Sequence, residues 1–225
     1  MKKIITAAIL SICVLPVTAY AADFEDIQGH WAAEIITNLA ESGVVHGISD
    51  TEFNPEGTVT RAEFLKMALS AAGIEETEFR SGECLDVTAS DWYGPYVQSA
   101  LDKGLVPDDM IGDCASKIVE TEDGSKAVYS GYFMGDEPIK REEMAYITQS
   151  VYQYSRDEET MNDMELPIDM HFTDLSSVSS WAFQGVRYAY ANDFIAGMSD
   201  GTFRPQETAT RAQAATIISN LLKKI

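Results

Sequence analysis

The chain has 225 residues, and its 36 acidic and 16 basic side chains give a formal net charge of −20 at pH 7. Such an acidic protein is repelled by nucleic-acid phosphates and by anionic membrane surfaces, so neither is expected to be a partner. With 45% hydrophobic and 10% aromatic residues, the chain has enough apolar surface for packed domains and lacks the composition of a disordered protein.

The first 21 residues are predicted to be a secretory signal peptide. Lysines at positions 2 and 3 precede an apolar stretch at 4–17, and Ala-Tyr-Ala at 19–21 is a small-x-small cleavage site. No later segment reaches the roughly 18 to 20 continuous apolar residues that a membrane span needs. We therefore expect an exported protein that begins at Ala22 and has no membrane span.

A threefold internal repeat follows. A shift of 150 residues (181 minus 31) places Trp31 on Trp181 and Thr-Arg-Ala at 60–62 on the same tripeptide at 210–212, without a gap. A middle copy aligns with a shift of 61 in its first half and 80 in its second, which implies a 19-residue insertion (80 minus 61). Repeats of this kind build one structure from several copies of a unit.

Each copy contains two segments whose apolar residues recur at helical spacings. The first helix is predicted to end at a residue suited to the left-handed conformation: Gly43, Gly104 or the pair 192–193. Between the helices lie turn-rich connectors at 47–55 and 197–205, in which Phe53 and Phe203 are predicted core anchors. One helix pair cannot bury its own apolar face. We therefore expect an all-α fold in which three helix-pair repeats pack with pseudo-threefold symmetry.

The middle repeat carries the insertion, at about residues 107–138, with a modest signal for a β-hairpin around Asp123-Gly124. After signal removal two cysteines remain, Cys84 and Cys114. In an exported protein a disulfide is the favoured interpretation, and two free buried thiols are the alternative. The bond would stabilise the fold by about 3 to 4 kcal/mol. Two cysteines without nearby histidines fall short of a zinc site.

These signals predict a domain map. It comprises a signal peptide at 1–21, repeat 1 at 22–75, repeat 2 at 84–154 with its insertion, an acidic linker at 155–170, and repeat 3 at 171–225.

The second helices begin with an unusual arginine. Thr60 with Glu63, and Thr210 with Gln213, form predicted capping boxes, in which each side chain satisfies the other's backbone N–H. An arginine at the first helical position instead opposes the helix dipole, at about 0.3 to 1 kcal/mol. All three copies nevertheless have one: Arg61, Arg141 and Arg211.

Two explanations of these arginines stay open. A helix N-terminus with free N–H groups attracts anions, and an adjacent guanidinium can bind a carboxylate through two hydrogen bonds. The arrangement therefore suits a carboxylated ligand. Alternatively, each arginine folds back onto a neighbouring Asp or Glu.

The motif order resembles the S-layer homology (SLH) domain. The shared elements are Phe-x-Asp at 24–26 and 172–174 (Cys-Leu-Asp at 84–86 in the middle copy), the tryptophan, Gly-x-Ser-Asp-x-x-Phe-x-Pro, and Thr-Arg-Ala-Glu/Gln. The resemblance implies three repeats around a central helical bundle. It also implies a non-catalytic anchor that binds secondary cell-wall polysaccharide, often with a pyruvylated sugar, in grooves between repeats.

Carried over by position, the resemblance assigns ligand contacts to the motif arginines, with Thr60 and Thr210 beside them. Trp31, Trp92 and Trp181 take the aromatic position near the groove, although their helical phase predicts core packing. In the middle copy Lys140 replaces the capping threonine, where its charge could replace a hydroxyl contact, while Glu142 would repel a carboxylate.

The sequence allows three alternative functions to be compared with this one. An enzyme is disfavoured because the mature chain has three histidines (30, 46 and 171), no catalytic motif and no residues left for a catalytic domain. Calcium binding by Asp50, Asp200 or the insertion carboxylates Glu120, Glu122 and Asp123 is disfavoured because no twelve-residue EF-hand loop is present. We predict no metal and no cofactor.

The remaining alternative is an extracellular protein-binding or self-assembling S-layer-type protein that acts through the insertion and its aromatic residues at 129, 132 and 133. In either case we expect a secreted protein at the cell surface, in the cell wall or S-layer.

Overall fold

A computed structural model describes residues 23–80, 84–111, 115–121, 124–157 and 170–225. Within these residues the chain forms six α-helices and one two-stranded sheet. The helices are α1 (Ala33–Glu41), α2 (Arg61–Ala71), α3 (Gly94–Asp102), α4 (Arg141–Ser155), α5 (Phe183–Ala191) and α6 (Arg211–Leu222), and the strands are β1 (Ala115–Thr121) and β2 (Gly124–Ser130). The helices form three consecutive pairs, so the predicted all-α class is confirmed.

A residue in the left-handed conformation follows the first helix of each pair, two positions after the last helical residue. Gly43 has a φ of 74° and Gly104 a φ of 64°. In repeat 3 the residue is Asp193, with a φ of 57°. Aspartate tolerates this conformation better than most side chains do. The chain therefore turns into each connector where the sequence predicted.

An aspartate at the start of each repeat fastens the connector. The two carboxylate oxygens of Asp26 accept the N–H groups of Phe53 and Asn54, at 2.9 and 2.6 Å. Asp86 and Asp174 hold the corresponding N–H groups of the other repeats: Phe133 and Met134, and Phe203 and Arg204. The second residue of each pair has a positive φ of 54° to 59°. The Asp of the Phe-x-Asp motif thus stabilises a strained turn.

The connector phenylalanines are anchored as predicted. Phe53, Phe133 and Phe203 are at most 1% exposed. They belong to one hydrophobic core, in which α2, α4 and α6 pack against one another. Phe133 had been considered as a binding aromatic of the insertion, but it is the buried anchor of repeat 2. Its neighbour Tyr132 is 41% exposed.

A ring of three hydrogen bonds joins the ends of the connectors. The N–H of Val59 donates to the carbonyl of Ala209 at 3.3 Å, the N–H of Ala209 to Ile139 at 3.2 Å, and the N–H of Ile139 to Val59 at 3.0 Å. Each repeat therefore contacts the other two in cyclic order. The pseudo-threefold symmetry of the packing stays a prediction.

The helix starts also join the three repeats in a cycle, but they donate in the opposite direction around it. The N–H groups of Arg61, Arg141 and Arg211 donate to carbonyls in the connector of the following repeat, at 2.8 to 3.0 Å, and so do those of the residues after them. The third N–H of α2 and of α6 is taken by the capping threonine. The free N–H groups that the sequence suggested for an anion are therefore already occupied by protein carbonyls.

The insertion contains an antiparallel hairpin, with Ala115 opposite Ser130 and Thr121 opposite Gly124. Its base is tied to the start of repeat 2, because the N–H of Leu85 donates to the carbonyl of Gly131 at 2.8 Å. Cys84 is buried at this junction. Cys114 lies outside the described residues, so the disulfide stays a prediction.

Other sequence predictions also fall outside the described ranges. These are the signal peptide at 1–21 and most of the linker at 155–170, although Ser155 is the last residue of α4. Among the described helices, none has the length and apolar character to cross a membrane. Within the same ranges, no cluster of three or more His, Cys, Asp or Glu side chains could hold a metal ion.

Candidate functional site

Two open grooves lie between the repeats, and each combines residues from all three. Groove 1 runs along the repeat 1 connector and α2, and Lys66 of α2 lines it. Trp92 of repeat 2 and Arg211 of repeat 3 form its other walls. Its volume is about 280 Å³. Groove 3 runs along the repeat 3 connector and α6. Trp31 of repeat 1 and Arg141 of repeat 2 form its other walls. Its volume is about 170 Å³. The two grooves are therefore built in the same way, one on repeat 1 and the other on repeat 3.

The tryptophans of these grooves are exposed. Trp31 is 62% exposed and Trp92 is 51% exposed, so the prediction that they pack in the core is wrong. Each lies in the turn before its helix, which begins two residues later, so the helical phase does not extend to it. The following residue, Ala32 or Tyr93, occupies the core instead. Each indole is left as an aromatic wall of a groove.

The helix-start arginines lie buried at the seams between repeats. Each guanidinium donates to the carbonyl of a connector phenylalanine in the next repeat: Arg61 to Phe133 at 2.6 Å, Arg141 to Phe203 at 2.8 Å and Arg211 to Phe53 at 2.8 Å. Burial lowers the pKa of Arg141 and of Arg211, because it removes the charged group from water. The arginines therefore hold the repeats together even without a ligand.

The three arginines differ in their carboxylate partners. Arg61 donates to both oxygens of Glu143, at 2.5 and 3.3 Å, and neither side chain is more than 10% exposed. Arg211 has a longer contact of 3.4 Å to Glu63, whose side chain is 35% exposed. Among the described residues, no carboxylate forms an ion pair with Arg141, whose hydrogen bonds go to backbone carbonyls. A buried cation is stabilised strongly by a paired anion. Of the three arginines, Arg141 is therefore the best placed to bind the carboxylate of a ligand. Arg61 instead fits the alternative that the arginine pairs with a carboxylate of the protein itself.

At the corresponding place on repeat 2, two aromatic rings pack against each other. Tyr146 of α4 packs edge to face with Trp181, with ring centroids 5.7 Å apart. Gly185 of α5 lies so close that a Cβ atom there would be 2.8 Å from the Cα of Tyr146. The equivalent residues of α1 and α3 are Ile35 and Tyr96, whose side chains would not allow this approach. We call this region the closed seam: Arg61, Glu143, Tyr146, Trp181 and Gly185.

The capping threonines have the role that the capping box predicts. The hydroxyls of Thr60 and Thr210 accept the N–H groups of Glu63 and Gln213, at 3.2 and 3.3 Å. In return, each threonine N–H donates to the Glu or Gln side chain. Both predicted boxes are confirmed, and a contact from these hydroxyls to a ligand stays a prediction.

The unusual residues of the middle copy face repeat 3. Glu142 is 1% exposed and accepts both the N–H and the hydroxyl of Ser179, at 2.9 and 2.7 Å. The side chain of Gln206, in repeat 3, bridges Glu142 and Lys140. It donates to Glu142 at 2.8 Å and accepts from Lys140 at 2.9 Å. The carboxylate that was expected to repel a ligand thus joins repeats 2 and 3.

Lys66 is a groove residue that sequence analysis did not single out. Its ammonium group lies 5.6 Å from the ring centroids of both Trp92 and Tyr96. No carboxylate in the described part of the chain forms an ion pair with it. The sequence feature that could have identified Lys66 is its positive charge at a helix position where the other copies have Tyr146 and Thr216. Its partners belong to another repeat, so sequence alone did not connect them.

Comparisons with known proteins identify sequence relatives of this chain. The model of the S-layer homology domain matches residues 23–65 and 171–215. Amylopullulanase of Thermoanaerobacterium thermosulfurigenes is 33% identical over 91% of this chain and 10% of its own length. Exoglucanase XynX of Acetivibrio thermocellus is 34% identical over 89% of this chain and 16% of its own length. The cellulosome-anchoring protein of Acetivibrio thermocellus is 27% identical over 76% of this chain and 34% of its own length. The chain therefore spans a minor part of each of these relatives.

Proposed function

The chain belongs to the S-layer homology domain family, and from this premise we propose that it is a non-catalytic anchor that binds a carboxylated or pyruvylated cell-wall polysaccharide in grooves 1 and 3. Family membership places the chain at the cell surface. All three repeats are included in the proposal, although the family model matches the outer two.

The observation that carries the proposal is the recurrence of an exposed tryptophan beside a buried arginine. Trp31 with Arg141, and Trp92 with Arg211, line the two grooves. An indole offers an apolar face with a polar edge, which suits the similarly mixed surface of a sugar ring. A guanidinium pairs with a carboxylate through directional, charge-assisted hydrogen bonds. A saccharide that bears an acid satisfies both groups.

Groove 3 adds neutral hydrogen-bonding groups. Gln213, Thr216 and Asn220 of α6 lie along the groove. Amide and hydroxyl groups can donate to and accept from sugar hydroxyls. Because the whole chain is strongly acidic, an anionic polymer needs such locally basic or neutral surfaces in order to approach.

In this proposal the three copies of the motif have two roles. Arg141 contacts the acid of the ligand in groove 3, and in groove 1 the acid is bound beside the seam that Arg211 holds, with the indoles of Trp31 and Trp92 as platforms. Arg61 and Trp181 belong to the closed seam and stabilise the fold.

The proposal that the shared part is not catalytic rests on the variety of the relatives. Similar sequence occurs in an amylopullulanase, in an exoglucanase and in a cellulosome-anchoring protein. Since these relatives have different named activities while they share this part, we infer that it supplies attachment.

Sedimentation with purified cell-wall sacculi tests the proposal. We expect the wild type to sediment with sacculi and the double variant Trp31→Ala/Trp92→Ala to remain in solution, at equal helicity by circular dichroism. Tyr154→Ala is the matched control, because it removes another exposed aromatic side chain, 47% exposed, from α4.

Two outcomes contradict the proposal. If the double variant sediments like the wild type, the grooves are not the binding sites, and the hairpin becomes the next surface to test. If the wild type itself stays in solution, a protein partner or self-association replaces the wall as the favoured target.

A further inference from the structure

The sixth residue of each second helix lies at the groove position and differs in every repeat. It is Lys66 in α2, Tyr146 in α4 and Thr216 in α6. Lys66 and Thr216 line the two open grooves, and Tyr146 belongs to the closed seam. This position therefore decides whether a repeat offers a cation, a small hydroxyl or a filled space.

In groove 1 the motif arginine is already engaged. Arg211 donates through Nε to the carbonyl of Phe53 at 2.8 Å and through Nη2 to the carbonyl of His46 at 2.8 Å. Its remaining nitrogen, Nη1, faces the carboxylate of Glu63 at 3.4 Å. A ligand carboxylate that approached Arg211 would therefore meet the negative charge of Glu63, which also lines groove 1.

Lys66 is the cation of groove 1 that the described residues leave without an ion pair. Its ammonium group lies over the rings of Trp92 and Tyr96, at 5.6 Å from each centroid. This contact orients the cation beside the tryptophan platform without neutralising its charge. A half-buried ammonium in this position attracts an anion more strongly than one in bulk water, because fewer water molecules screen it.

Groove 3 has the opposite arrangement. Thr216 is neutral, and Gln213 occupies the place that Glu63 has in groove 1. No described residue forms an ion pair with Arg141, and its Nη1 group makes no hydrogen bond within the same residues. Here the motif arginine itself is available to an anion.

From these contacts we propose that Lys66, rather than Arg211, binds the carboxylate of a saccharide in groove 1. This inference rests on the proposed function. The two open grooves then hold the same class of ligand through different cations, Lys66 in one and Arg141 in the other. Each cation stands beside an exposed tryptophan.

Calorimetry with a pyruvylated methyl glycoside tests the assignment, with the same glycoside lacking pyruvate as a control ligand. Trp31→Ala disables groove 3, so that binding in this background reports groove 1. In it, Lys66→Thr is expected to weaken binding of the pyruvylated glycoside at least tenfold, and Lys66→Arg to restore it to within threefold. Lys103→Thr removes the same charge from a lysine outside both grooves and should change the affinity less than twofold.

The converse exchange uses groove 3. In the Trp92→Ala background, Thr216→Lys supplies the missing ammonium and is expected to tighten binding of the pyruvylated glycoside about fivefold. If Lys66→Thr binds within twofold of its Trp31→Ala parent, Lys66 is not the anion-binding residue, and the proposed function stands through that parent's own binding. If the wild type binds neither glycoside, the proposed function and this inference both fail.

Discussion

Groove 3 and the closed seam begin from the same parts. Both have an arginine at the start of a second helix, and in both the guanidinium donates to the carbonyl of a connector phenylalanine. Both also have the tryptophan that precedes a first helix. Yet Trp31 is 62% exposed beside an open space, whereas Trp181 is partly buried against Tyr146.

The difference lies outside the motif. The third residue of the helix is Glu143 in the closed seam, where it neutralises Arg61, and Gln213 in groove 3. The sixth residue is Tyr146 in the closed seam, where it fills the space, and Thr216 in groove 3. The motif thus marks a seam between repeats. In the proposed function a seam holds a ligand only where the sixth position leaves the groove open, so the proposal predicts fewer sites than motifs.

The largest expected effect comes from breaking the ion pair of the closed seam. Glu143→Gln leaves the buried guanidinium of Arg61 without its anion, and we expect a loss of about 3 to 5 kcal/mol in the free energy of unfolding. Glutamine still accepts the N-cap N–H, as Gln213 does in repeat 3, so the cap is preserved. Urea denaturation followed by circular dichroism measures the change.

The matched control is Glu63→Gln at the equivalent position of groove 1. Its contact to Arg211 is longer, at 3.4 Å, and more exposed. We expect a loss of about 1 kcal/mol or less. Equal losses in the two variants would show that the closed seam is no more dependent on its ion pair than an open groove.

The close approach of α5 and α4 gives the next prediction. Gly185→Ala places a methyl group 2.8 Å from the Cα of Tyr146, and we expect a loss of about 1 to 3 kcal/mol from overpacking. In the control Gly94→Ala, the nearest heavy atom is a side-chain carbon of Phe79 at 3.2 Å, which can move. If thermal denaturation shows Gly185→Ala to be as stable as the wild type, tight helix packing is not what closes the seam.

Much of the fold could be predicted because its signals are local. The capping boxes, the left-handed residues after the first helices and the phenylalanine anchors each depend on a few consecutive residues. The apolar periodicity identified both helices of every repeat. These features describe one repeat at a time, and they recur wherever their residues recur.

What the sequence could not predict depends on contacts between repeats. Arg61 and Glu143 are 82 positions apart, and Lys66 meets a tryptophan of another repeat. The N–H groups at the helix starts were expected to be open to an anion, yet connector carbonyls of other repeats occupy them. The tryptophans were placed in the core because the helical phase was extended two residues beyond the true helix starts.

The smallest expected effect concerns the connector beside groove 3. The hydroxyl of Thr202 and the guanidinium of Arg204 donate to Asp200, at 2.6 and 2.8 Å, and hold the pKa of that carboxyl well below its usual range. A carboxyl whose pKa is lower in the folded state stabilises the fold above its unfolded-state pKa, near pH 4, and this contribution is lost as the pH falls. The side chain of Asp200 is 49% exposed, so we expect a change in thermal stability smaller than those above.

A pH series of melting temperatures from 5 to 2 isolates this contribution. The wild type should lose more stability on acidification than Asp200→Asn, because the variant has no carboxylate to protonate. Asp50→Asn is the matched variant in repeat 1, where Asn54 stands in place of Arg204, and it should keep the wild-type dependence. If Asp200→Asn also keeps that dependence, the hydrogen bonds to Asp200 do not stabilise the connector.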